Sequence, residues 1–158
     1  MDTVDKIIWI LPVLAVFDVA STLYAGSKVH DLQYYEHGLF ASFSLTLGWV
    51  YLYVYAVIYV LIVIGISYFM WYIKNRKLSP LNSVDKVVFL ILVGATCYIY
   101  VRLTVAFVTN FFLPALIDRS INLYWLSVIV GISCLFSLGY YMWHDVLAWV
   151  KAGGGEKK

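Results

Sequence analysis

The sequence predicts an all-α integral membrane protein: four transmembrane helices in an antiparallel bundle, with both termini on the cytoplasmic side. Three observations lead there. The chain of 158 residues is 63% hydrophobic and only 13% charged. Its apolar residues gather into four long runs, and its lysines and arginines fall almost entirely on one side of them. Soluble domains hold roughly 45–50% apolar residues and about 25% charge. In water a chain this apolar would expose much of its greasy surface, whereas a bilayer is a solvent that suits it. The net charge of +2 says little as a total, and no nucleic-acid partner is expected.

The four runs are Ile7–Ala25, Leu47–Ile73, Val87–Leu113 and Leu123–Val150. Each has the roughly 20 residues that a helix needs to cross the hydrocarbon, and the last three are long enough to tilt or protrude. Continuity without in/out alternation favours helices over a barrel. The residues ahead of the first run, Met1-Asp2-Thr3-Val4-Asp5-Lys6, carry two acids against one lysine. A signal peptide begins positively, so a retained span is expected. The whole chain, 1–158, reads as one four-helix domain, with 152–158 a flexible, glycine-rich cytoplasmic tail suited to anionic lipid.

Direction follows from the loop charges. Lys6, then Lys74, Arg76, Lys77 and Lys86, then Lys151, Lys157 and Lys158 lie on one side; only Lys28 and Arg119 lie on the other. Basic loops stay inside. Aromatic rings favour the headgroup level: Trp49, Tyr51 and Tyr53 mark one edge of the second span, and Tyr68, Trp71 and Tyr72 the other. Tyr124 and Trp125 open the fourth span, and Tyr140, Tyr141, Trp143 and Trp149 gather toward its inner end, where His144 and Asp145 also read as interfacial. Thr3-Val4-Asp5-Lys6-Ile7-Ile8 and Ser83-Val84-Asp85-Lys86-Val87-Val88 form a faint repeat. Either both segments converge on Ser or Thr capping followed by an acid, or two helical hairpins were duplicated about an axis along the membrane normal.

Asp18 is the sharpest polar feature. It stands about 16 Å into the first span at 1.5 Å per residue, and an unpaired acid at that depth costs a few kilocalories per mole. Ser21 and Thr22, at i+3 and i+4, extend a polar face beside it, and Pro12 can kink the span and free a backbone carbonyl. Arg102 is the only basic residue well inside any run. It is expected at a similar outer-half depth and as the partner of Asp18, fixing helix register or lining a ligand pocket or ion path. The bundle would then have an apolar cytoplasmic half and a polar centre that opens outward.

The first outer loop contains His30, Asp31, Glu36 and His37. His30, Glu36 and His37 are candidate transition-metal ligands, although His-x₆-His matches no recognised spacing and a solvated loop carries such residues anyway. Asp18, Glu36 and His37 are candidate catalytic groups, with no nucleophile motif beside them. Asp118 and Arg119, in the second outer loop, read as solvated. Cys97 and Cys134 lie in apolar runs and read as small hydrophobes. No cofactor is called for. Small residues at Gly65 and Ser67, Gly94-Ala95, and Gly131 through Gly139 suit close helix packing, within or between subunits.

Asp18-Val19-Ala20-Ser21-Thr22, then Glu36, then Leu47-Gly48-Trp49 resembles an uncharacterised family of small prokaryotic polytopic membrane proteins. That family carries an Asp and a Thr in its first span and Glu-x-Asn-Pro before the second. The resemblance covers roughly the first seventy residues, and Glu36-His37-Gly38-Leu39 stands here in place of Glu-x-Asn-Pro. It implies a four-helix membrane fold and a polar outer-half site, with no known activity.

Three functions fit the residues. The first, and favoured, is a non-enzymatic membrane scaffold or accessory subunit in the cell membrane, packing with partner membrane proteins or with itself. The second is a small oligomeric transporter or channel with Asp18 and Arg102 in its path. The third is a membrane-embedded enzyme acting on a lipid-like substrate in an outward-facing cavity.

Overall fold

A computed structural model of the chain describes residues 2–28, 49–116 and 123–152. All four predicted helices are present: α1 (Thr3–Lys28), α2 (Trp49–Arg76), α3 (Ser83–Leu116) and α4 (Leu123–Ala152). Each is long and apolar enough to cross a membrane. Hydrophobicity is spread around their axes with little asymmetry, as befits helices with lipid on one side and helices on the other. Large apolar side chains accordingly face outward on every helix, as far as Phe136 at 77% exposed. A protein dissolved in water keeps such patches small.

α1 and α3 begin ahead of their apolar runs because polar residues cap them. Asp2 Oδ1 accepts the Asp5 N–H at 2.8 Å, and Asn82 Oδ1 accepts the Val84 N–H at 3.0 Å. The caps are therefore Asp2 and Asn82, one residue ahead of the expected Thr3 and Ser83. Asp and Asn compete well for the free N–H groups of a first turn. α1 runs unbroken through Pro12 and α3 through Pro114.

Consecutive helices are antiparallel, but they do not close into a symmetric bundle. α1 packs most extensively on α3, α3 on α4 and α1 on α2, while the remaining pairs touch slightly. The spatial order is α2–α1–α3–α4, with parallel helices α1 and α3 in the middle. α1 is the most enclosed helix and α4 the least.

Cross-helix pairs give the register. Thr22 meets Asn110, 88 residues on, and Phe17 and Tyr24 meet Phe107 and Phe111. Thr3 is therefore level with about residue 91, and α3 starts some 12 Å further down the axis, at 1.5 Å per residue. The two copies of the faint repeat are thus out of level. Strict duplication about the membrane normal would make them level, so shared capping chemistry accounts for the likeness better.

One apolar cluster joins Val4, Ile7, Ile8, Met70, Phe89, Leu92, Leu138 and Met142, and a second joins Leu11, Ala15, Val63 and Leu103 above it. Trp149 stacks on Phe89 with ring centroids 4.1 Å apart. It is half-buried and packs on the lower cluster. Trp71 also turns partly inward, pairing with Trp9 at 6.2 Å. Tyr140 and Trp143 stay exposed.

Candidate functional site

Polar side chains meet in two places, one at the end of the bundle that gathers both termini, the other further along α1. At the terminal end α1 begins beside the last turn of α2. The acids of a first turn and the lysine of a last turn each complement their own helix dipole, and antiparallel packing sets them face to face. Lys74 Nζ donates to Asp2 Oδ2 at 2.6 Å and to Asp5 Oδ1 at 2.7 Å. Asn75 Nδ2 donates to the same Asp5 oxygen at 3.0 Å. The lysine side chain is 3% exposed and that of Asp5 7%. Asp145, on α4, accepts the Thr3 N–H at 2.6 Å, so a third helix joins the cluster. This end is therefore apolar in its packing and sealed by buried charge at the helix ends, beyond the apolar runs 7–25 and 47–73. Desolvating such charges costs several kilocalories per mole each, and the cluster holds only because every member is paired.

The second cluster spans α1, α2 and α3. Asp18 Oδ2 accepts the Tyr59 hydroxyl at 3.2 Å. One turn on, Thr22 Oγ1 accepts an Asn110 Nδ2 hydrogen at 2.8 Å. Ser21 turns its hydroxyl back onto the Asp18 carbonyl at 2.8 Å, so it satisfies its own helix instead of extending the polar face. The hydroxyls of Thr96, Thr104, Thr109, Ser133 and Ser137 do the same on their own helices, the usual way to satisfy a hydroxyl where water is scarce. Ser67 is fully buried, and its hydroxyl has no hydrogen-bond partner among the described residues.

Arg102 lies near Asp18 but does not pair with it. Its charge acts on both Asp18 and Tyr59, yet among the described residues the only ion pairs within 4.0 Å are those of Lys74. By the α1–α3 register Arg102 is level with about Leu14, roughly 6 Å from Asp18 along the axis. Its side chain is exposed, on an outward stripe of α3 with Ile91, Ala95 and Tyr98. The direct partner of Asp18 is thus Tyr59, which sequence reading passed over among fourteen tyrosines.

An open cavity of about 330 Å³ between α1 and α2 is walled by Val16, Val19, Leu23, Ala56, Val57 and Val60 among others. None of the candidate polar residues lines it. A reactive or selective pocket needs a few convergent polar groups, and this one is a greasy groove. Cys97 and Cys134 are free thiols, and Cys97 Sγ packs against Met142 Sδ at 3.6 Å. The candidates His30, Glu36 and His37, with Asp31, Asp118 and Arg119, lie outside the described residues, as does the tail 153–158. Among the described residues no three metal-type ligands converge.

Two contacts at the terminal end are likewise not legible in the sequence, where Lys74 reads as a marker of direction and Asp145 as an interfacial group. The available signal was electrostatic: two acids crowd a short amino-terminal segment on the side where basic residues gather, and buried acids need partners. The chain matches no protein-family model, no curated protein and no solved structure.

Proposed function

We propose that this protein is a helical membrane scaffold, an accessory subunit that assembles with other protein in the plane of the cell membrane. Its four helices cross the bilayer with both termini cytoplasmic, and the basic flanks of α2, α3 and α4 meet anionic lipid on that face. Arg102 carries this reading. It is exposed in the isolated chain, and its level is about nine residues from that of Asp5 and fourteen from the end of α3 at Leu116, which is near mid-membrane. Snorkelling to the headgroups serves residues near helix ends. A guanidinium stranded at this depth is costly unless something polar covers it.

The other polar groups speak for scaffolding as well. Lys74, Asp2, Asp5, Asn75, Asp145, Asp18, Tyr59, Thr22 and Asn110 all bond one helix to another. Those at the terminal end are spent on holding the fold, while well inside the apolar runs Asp18 is only singly bonded and Arg102 is left as a charge available to an outside partner. Purification from membranes in mild detergent tests this role. A stoichiometric protein partner, or a second copy, should co-elute with the wild-type chain and be lost from Arg102→Gln. A monomer without any partner in detergent and in lipid nanodiscs would contradict it.

A further inference from the structure

Given the assembly role proposed above, on which this inference rests, we infer that the partner covering Arg102 is a second copy of the chain, joined by two reciprocal Asp18–Arg102 ion pairs. Of the nine acids and eleven bases, Asp18 and Arg102 are the one acid and one base well inside the apolar runs. They stand on neighbouring parallel helices about one turn apart, yet neither satisfies the other. Tyr59 gives Asp18 a single hydrogen bond at 3.2 Å, and a carboxylate has room for about four. Arg102, with five N–H donors, makes no hydrogen bond or ion pair among the described residues.

A partner bringing only an acid would neutralise Arg102 and leave Asp18 under-bonded. A lipid phosphate belongs to the headgroup layer and does not reach mid-membrane. A second copy supplies both missing charges. In a two-fold interface residue i meets j and j meets i, and an axis parallel to the helices keeps every residue at its own height. Arg102 then bridges the same one-turn rise to the carboxylate of the neighbouring copy that it leaves unbridged within its own chain.

The surface around Arg102 admits a close neighbour. About two turns before it on the same helix, Gly94 and Ala95 are exposed, and a Cβ added at Gly94 would meet nothing within 4 Å. Small residues let membrane helices approach, and polar bonds then fix the pair.

Copy number per lipid nanodisc, counted by single-molecule photobleaching at high lipid-to-protein ratio, tests the pair. The wild type should show two copies. Arg102→Gln and Asp18→Asn should each weaken the dimer by about tenfold or more, while Arg102→Lys retains part of it. The exchange Asp18→Arg with Arg102→Asp should restore two copies, with circular dichroism reporting that every variant is folded. A monomeric wild type, or dimers equally stable in both single variants, would overturn the inference. A wild-type monomer held by a different protein through Arg102 would also overturn it while leaving the assembly role standing; a monomer with no partner would remove both.

Discussion

The two polar clusters of this protein differ in how completely they are satisfied. At the terminal end, Lys74 donates to Asp2 and Asp5 at 2.6 and 2.7 Å, Asn75 donates to the same Asp5 at 3.0 Å, and Asp145 closes over the start of α1. Within the apolar stretches of the helices, Asp18 holds one tyrosine at 3.2 Å, and Arg102 faces outward. A buried charge with all its partners in the chain serves folding. One whose partner is missing from the chain is, in the role proposed above, left for contact with something else. The contrast teaches that intramembrane charge cannot be assigned a role from depth alone. What decides is whether the chain itself completes the bonding.

Substitutions should separate the two clusters. The largest effect is expected from Lys74→Met, which strands the buried Asp5 carboxylate and loosens Asp2. Breaking a buried pair from one side costs about 3–5 kcal/mol, to be read as a lost folded fraction in detergent unfolding curves. A wild-type curve would erase the distinction drawn here. Asp145→Ala comes next. It removes an acceptor from the first turn of α1, a capping loss of about 1 kcal/mol, visible as a lower unfolding midpoint and faster hydrogen exchange at Thr3. Thr22→Val in the second cluster should cost less, about 0.6 kcal/mol, the average for hydrogen bonds between membrane helices. Ser67→Ala should be the mildest. Its hydroxyl is buried without a partner among the described residues, so removing it leaves the midpoint unchanged or raises it. A large loss there would reveal a bond that the hydroxyl does make.

How much of this was legible beforehand follows from the physics of each feature. The four helices were, because some twenty apolar residues in a row have few alternatives; the structure lengthens Ile7–Ala25 to Thr3–Lys28 and Val87–Leu113 to Ser83–Leu116 by adding polar caps that hydropathy does not weigh. The spatial order α2–α1–α3–α4 was not. Helices apolar on every side give no sign of which face meets protein and which meets lipid. That uniformity also hid the Lys74 cluster, since nothing marked the end of α2 as lying against the start of α1. Asp18 and Arg102 stood out as charges in apolar surroundings. Their closeness in height was readable from position along each span, but the outward turn of Arg102 depends on side-chain packing that spacing does not carry.

One division underlies the proposed role: a completed cluster folds the chain and an incomplete one assembles it. Assembly size in lipid nanodiscs, measured on the folded fractions of Arg102→Gln and Lys74→Met side by side, tests that division most directly. Arg102→Gln should fold like the wild type and fall apart into single copies. Lys74→Met should yield little folded protein, and what does fold should remain assembled. An Arg102→Gln chain that keeps the wild-type assembly size, or one that unfolds as readily as Lys74→Met, would contradict the account.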